Sequence, residues 1–167
     1  ALITAINAGN QLLQAVKPGQ PLRKYPTTSP IVTLQTVVNN IAEKNRFSAN
    51  TKGVNAVALS PNQQQIAAVG NDGQLRLWSL QGQPQQSWPA HKGAIYGVAY
   101  TPDGNQLATA SQDQTIKLWT KNGQRLQTLK GHTGSVYGIA FFPDGQLLAS
   151  ASRDQTVRIW DVATGGL

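Results

Sequence analysis

Two histidines, His91 and His132, are the only imidazoles in the chain, and each is followed at the same distance by an aspartate, Asp113 or Asp154. With serine also present, these are the residue types of a Ser-His-Asp nucleophilic site. A nucleophile is needed once, however, whereas here the histidines and aspartates recur at a fixed interval, which serves architecture better. No serine lies in a Gly-x-Ser-x-Gly elbow. Glu43 is the only glutamate, and Asp103 and Asp144 fall in Pro-Asp-Gly turns, so paired-carboxylate chemistry lacks candidates. There is no Gly-x-x-x-x-Gly-Lys-Ser/Thr phosphate loop. Zero cysteines exclude a disulfide framework and a thiolate metal site, and the repeated histidines leave none for zinc or a general base. The expectation is a segment that is not an enzyme and holds no metal and no cofactor.

The elements that position these residues form a repeat. Trp78, Trp119 and Trp160 are spaced 41 residues apart. Asp72, Asp113 and Asp154 keep that interval, as do Pro61, Pro102 and Pro143, and His91 and His132; one step back from His91 lands on Asn50. Within a unit, short β-rich runs alternate with turn sequences. Val136–Phe142 is stopped by Pro143-Asp144-Gly145, then Leu147–Ser152 and Thr156–Trp160 flank Arg153-Asp154-Gln155, and Leu126–Leu129 follows Asn122-Gly123. Proline fixes φ, and Asn and Gly reach positive φ at little cost, so these turns have a mechanism. Four short strands in about 40 residues make a blade-sized antiparallel sheet. Gly and Pro interrupt the apolar spacing that a helical repeat needs.

At 167 residues and 17.9 kDa, the chain holds one ordinary domain, or a small one plus an appendage. It is 40% hydrophobic but only 13% charged, so its polar surface rests on amides and hydroxyls. No run approaches the ~18 apolar residues of a membrane span, and the N-terminal stretch lacks a signal peptide's basic flank and apolar core. No Met occurs, so Ala1 reads as an internal residue of a longer or processed chain. Fourteen Lys and Arg against seven Asp and Glu give +7, which permits weak contact with polyanions.

His132-Thr133-Gly134 after Gly131, Ser150-Ala151-Ser152-Arg153-Asp154 and Val157-Arg158-Ile159-Trp160-Asp161 resemble the repeat of the WD40 family, whose members form β-propellers. The likeness covers about 50–167. It implies a mainly β fold, a partial, open propeller of about three blades at 50–90, 91–131 and 132–167, within a repeat region 44–167. Only the third unit carries Trp-Asp; the others read Trp78-Ser79 and Trp119-Thr120, and Ala49-Asn50 stands where Gly-His is expected. In the family, His, Ser or Thr, Asp and Trp form a hydrogen-bonded set within each blade. Carried over by position, the set is His132, Ser150, Asp154 and Trp160 in the third unit, and His91, Thr109, Asp113 and Trp119 in the second. The first unit keeps Asp72 and Trp78 but has Asn50 and Ala68, so its set is broken at the hydroxyl and its blade is expected to be the softest.

The same resemblance implies a docking surface on the narrower face around the central channel. The matching positions are Gly53, Asn55 and Asn71 in the first unit, Ala94, Tyr96 and Gln112 in the second, and Ser135, Tyr137 and Arg153 in the third. Tyr and Arg dominate interface energetics, so a protein-docking rim at Tyr96, Tyr137 and Arg153 is expected, with packing between blades as the alternative role of the tyrosines. Arg76, Lys117 and Arg158 also recur, mid-strand before each Trp. An aliphatic stem at a blade edge with its charge in water fits them better than a basic ladder for nucleic acid, since no basic run accompanies them.

Residues 1–49 break the repeat. Leu2, Ile6, Leu13 and Val16 share a helical face ended by Lys17-Pro18-Gly19, and Ser29-Pro30 opens a second helix striped by Ile31, Leu34, Val38 and Ile41. Region 1–43 therefore reads as a helical linker with helices at 2–16 and 30–43. A helical region ahead of WD40 repeats resembles the layout of bacterial multidomain signalling proteins, which carry an NTPase, protease or kinase module further upstream. Lys44-Asn45-Arg46-Phe47 falls in an outer-strand slot, and the third unit stops before its own outer strand. Propellers need about four to eight blades to close, so the sequence reads as truncated at both ends, completed by additional blades of a full-length chain or by self-association. The resulting expectation is a cytoplasmic, non-catalytic scaffold or sensor that binds a protein partner, with no membrane contact. Nucleic-acid binding, or regulation of an enzyme located elsewhere in the polypeptide, is the alternative.

Overall fold

The turn sequences divide the chain into strands, and the strands into three antiparallel sheets. In the computed structural model, which describes residues 46–48 and 52–166, the first sheet runs β1 (Val54–Leu59), β2 (Gln65–Gly70), β3 (Gln74–Ser79) and β4 (Pro84–Pro89). The second runs β5 (Ile95–Tyr100), β6 (Gln106–Ser111), β7 (Ile116–Thr120) and β8 (Arg125–Leu129). The third is β9 (Val136–Phe141), β10 (Leu147–Ser152) and β11 (Val157–Asp161). Neighbours in each sheet follow chain order, the meander that short turns dictate. The helices expected at 2–16 and 30–43 and the histidine-slot residue Asn50 lie outside the described residues. No helix of the described residues is long and apolar enough to cross a membrane.

Equivalent turns close by equivalent geometry. Gln63, Gly104 and Gly145 have φ of 55°, 72° and 72°. Each donates its N–H three residues back, to the carbonyls of Ser60, Thr101 and Phe142. In the first unit glutamine thus adopts a conformation that glycine adopts more cheaply. The turns before β3, β7 and β11 repeat the pattern with Gly73, Gln114 and Gln155 at 73°, 69° and 70°. Only Gly73 is required for space, because a methyl there would overlap the His91 carbonyl oxygen. The Ala90 and His91 N–H groups donate to the Gly73 carbonyl at 2.9 and 3.1 Å, tying the β4–β5 connection onto the turn.

Strands β1, β5 and β9 lie side by side, so the sheets stack as successive blades. Period-two alternation gives each sheet two faces. Ala67, Val69, Leu75 and Leu77 of the first sheet pack against Ile95, Val98, Tyr100, Leu107 and Trp119 of the second. Ala108, Ala110, Ile116 and Leu118 of the second sheet pack in turn against Val136, Leu148 and Trp160 of the third. Burying each Leu or Ile contributes about 1.5–3 kcal/mol. An outer-strand side chain caps each following tryptophan: Trp88 meets Trp119 with ring centroids at 6.1 Å, and Leu129 packs in the cluster of Trp160. Phe47 covers Trp78 at 5.0 Å, but lies in no strand. The rest of the outer-strand expectation at 44–47 falls on Lys44 and Asn45, which lie outside the described residues.

Two blade faces stand open. Val157 and Ile159 are 72% and 49% exposed, although their equivalents Leu75, Leu77, Ile116 and Leu118 are all buried. On the opposite side of the stack Val57 is 63% exposed, whereas its equivalent Val98 is buried.

Candidate functional site

In the second blade four polar groups meet in one chain of hydrogen bonds. The Trp119 Nε1–H donates to the Thr109 hydroxyl at 2.9 Å, and that hydroxyl lies 2.8 Å from His91 Nε2. His91 Nδ1 lies 2.9 Å from Asp113 Oδ2, and the Thr115 hydroxyl donates to Asp113 Oδ1 at 2.6 Å. Burial of the imidazole lowers its proton affinity more than Asp113 raises it, so the ring is neutral. The proton order follows. His91 gives its Nδ1–H to Asp113, and Nε2 accepts from Thr109, which is left free to accept the indole N–H. Burial alone would raise the Asp113 carboxyl, yet the Thr115 hydroxyl and His91 outweigh it and hold it below its ordinary value.

The third blade repeats this arrangement. Trp160 Nε1–H donates to Ser150 Oγ at 2.8 Å, Ser150 Oγ lies 2.8 Å from His132 Nε2, and His132 Nδ1 lies 2.7 Å from Asp154 Oδ2. The Thr156 hydroxyl, helped by His132 and the Thr133 N–H against a contrary effect of burial, holds the Asp154 carboxyl well below the usual range. Thr109 and Ser150 are both buried, and each oxygen already takes an indole N–H. The two sets tie neighbouring strands together, each buried polar atom satisfied by the next.

The first blade is wired differently. Ala68 offers no hydroxyl, and the buried Trp78 Nε1 has no partner among the described residues. Asp72 instead takes the Arg76 guanidinium at 2.7 Å and the Gln74 N–H at 3.1 Å. Burial pushes its carboxyl up, but Arg76 and Gln74 outweigh that and leave it below the ordinary value. Lys117 likewise donates to the Ala90 carbonyl at 2.6 Å, and desolvation lowers its proton affinity. Arg76 and Lys117 therefore spend their charges inside the blades, which corrects the expectation that those charges sit in water. Ala68→Ser would give Trp78 the acceptor that Ser150 gives Trp160. We expect a gain of about 1 kcal/mol and slower amide exchange in β2 and β3, read by urea unfolding and hydrogen exchange. Ala68→Val, which adds volume without a hydroxyl, is the control; equal behaviour of the two variants would mean that the orphaned indole costs nothing.

The docking-rim positions gather at one end of the sheets, where β1, β5 and β9 begin and β2, β6 and β10 end. The backbones there are clamped alike: Asn71, Gln112 and Arg153 each donate N–H to the carbonyl of Gly53, Ala94 and Ser135, at 3.2, 2.8 and 2.8 Å. Ladder pairing skips one residue per inner strand, between Val54 and Ala56, between Ile95 and Gly97, and between Gly138 and Val136. The skipped residues are Asn55, Tyr96 and Tyr137. A bulge re-aims its extra side chain, and these three bulges fall on the rim positions.

Tyr96 and Tyr137 lie 5.2 Å apart by ring centroid across the boundary between blades two and three, and Tyr137 is 49% exposed. Asn55 Nδ2 donates to Asn71 Oδ1 at 2.8 Å and to the Ile95 carbonyl at 3.0 Å, bridging the first two blades. Gly53, Gln112 and Arg153 are exposed, Ser135 is half-buried, and Ala94 is buried, so Ala94 contributes a carbonyl to the clamp and no side-chain surface. Sequence reasoning missed the bulges, because nothing in the residue types marks a skipped ladder pair. It also missed the Asp72–Arg76 pair, which was readable as opposite charges four positions apart in the unit that lacks a histidine.

Stacked antiparallel meanders of four, four and three strands, each with a tryptophan at the same register and two with an equivalent polar chain, define blades of the propeller kind. Segments 42–79, 82–120 and 123–161 match the WD domain, G-beta repeat, and the chain belongs to this WD40 family. Over 82 residues it is 48% identical to an uncharacterized WD repeat-containing protein of Synechocystis sp.. The shared stretch covers 49% of this chain and 7% of that relative, so the chain spans only a small part of the relative's length.

Proposed function

We propose that this chain is a non-catalytic docking scaffold whose bulged rim holds a protein partner. The observation that carries the reading is the bulge repeated in each inner strand, which sets Asn55, Tyr96 and Tyr137 at the same end of three successive blades. Bulges are over-represented at functional sites, where they re-aim a side chain. Tyr137 and Arg153 supply exposed aromatic and guanidinium groups beside one another in the third unit, the residue types that anchor interfaces. The hydrogen-bonded sets support the rim from beneath, since the turns of Asp113 and Asp154 carry Gln112 and Arg153. WD40 repeats generally mediate protein–protein interaction, in agreement with this reading. We also infer that further blades of the same construction cover the two open faces.

The test is selection of a phage-displayed random dodecapeptide library on the folded chain. Peptides enriched by the parent protein are expected to lose most of their binding to Tyr96→Ala/Tyr137→Ala/Arg153→Ala while the variant keeps its circular dichroism and unfolding midpoint. Peptides that bind the triple variant as tightly as the parent would place the docking surface elsewhere.

A further inference from the structure

We propose that the partner segment held at this rim is acidic, an extension that rests on the docking reading above. The two ends of the sheets differ in charge. At the rim end Lys52, Lys92, Lys130 and Arg153 are exposed, and none forms an ion pair with a described residue. Among the described residues, the carboxylates at that end are turned into their own blades. Asp72 is paired with Arg76, Asp113 accepts from His91 and Thr115, and Asp154 accepts from His132, Thr133 and Thr156. Both oxygens of each already accept, and none pairs with a rim cation; Asp113 and Asp154 keep their charge but are outnumbered by the four exposed cations. The opposite end reverses the balance: Asp103, Asp144 and Asp161 sit there in turns and at the end of β11, against Lys121 and Arg125.

A field of that polarity attracts negatively charged segments to the rim and turns away basic ones. The chemistry beside the cations favours a peptide over a nucleic acid. Gln112 places an exposed amide between the charged positions, suited to a peptide backbone, whereas the Asn71 amide is held by Asn55 and the Lys52 carbonyl. Tyr96 and Tyr137 face each other instead of standing open as platforms for bases. The cations are also spread one blade apart, without the continuous track that a phosphate backbone follows.

The experiment reads the charge of the dodecapeptides enriched by the whole chain, then the affinity of the best one and of its isosteric Asp→Asn, Glu→Gln analogue by fluorescence polarisation. We expect enrichment in Asp and Glu, roughly tenfold weaker binding of the amide analogue at low salt, and loss of binding as salt rises past the point where the screening length falls to about 8–10 Å. Lys92→Glu/Arg153→Glu should weaken the acidic peptide by a similar factor or more. Neutral or basic peptides that still need Tyr96 and Tyr137 would overturn the acidic assignment and leave the rim standing. Acidic peptides indifferent to both the charge reversal and the tyrosine variant bind elsewhere, and both readings then fall. Displacement of the peptide by oligothymidylate that itself binds more tightly and depends on Arg153 would overturn the proposal in favour of nucleic acid.

Discussion

Trp119→Ala is expected to lower the unfolding free energy by about 4 kcal/mol, a large fraction of the ~5–15 kcal/mol that holds a small domain together. Three losses coincide at this residue. The indole is almost fully buried in the cluster between the first two blades, and truncation leaves a cavity there. Trp88, tilted against it at 6.1 Å, loses its contact surface. The Thr109 hydroxyl loses the N–H that it accepts at 2.9 Å, which unsettles the buried chain through His91 to Asp113. Trp119→Phe keeps most of the ring and removes only the donor, so it should cost about 1–2 kcal/mol. Urea unfolding of the two variants separates packing from hydrogen bonding. Equal losses for alanine and phenylalanine would show that the ring itself does not bind the blades together.

The isolated chain should associate with itself, and Val157→Lys/Ile159→Lys should abolish that association. Val157 and Ile159 repeat the positions of Ile116 and Leu118, which the third blade buries, and of Leu75 and Leu77, which the second blade buries. The face they form is therefore built to receive the side of another blade that carries Val57 and Leu59, both exposed on the first blade. Contact between two different faces is head-to-tail, which yields closed rings or open fibres according to the rotation. Each buried apolar side chain contributes about 1.5–3 kcal/mol, so two lysines there should weaken association by a hundredfold or more. Sedimentation equilibrium across a concentration series measures this directly. A parent chain that stays monomeric at its highest soluble concentration would show that the open faces are covered from within the chain or do not attract.

The interval between Trp78, Trp119 and Trp160 made the strand order legible, because a meander of short strands joined by tight turns has few alternatives. Pro-Asp-Gly located the β5–β6 and β9–β10 turns for the same reason, and β1–β2 followed by position even though Gln63 replaces glycine. The recurrence of His, Asp and Trp was equally legible in the spacing, and the resemblance to the WD40 repeat added the hydroxyl and made them a set. Its proton order was not, since that depends on how deeply the imidazole is buried. The charge of Arg76 illustrates the limit. Its type suggested an aliphatic stem with a solvated head, but the first blade has no imidazole for Asp72, and the guanidinium turns inward to meet it.

The sequence by itself determined what repeats: strand number per unit, turn chemistry, the tryptophan register and the polar residues that travel with it. These are local properties, set by backbone sterics and by side-chain alternation along one strand. Only the tertiary structure decided which ladder pairs are skipped, so that Asn55, Tyr96 and Tyr137 stand out of the strands, and which carboxylates are turned inward, so that one end of the blades is left positive. Those outcomes depend on strands from distant parts of the chain meeting in a particular register, and on which buried donor reaches an acceptor first. No single stretch of residues encodes either.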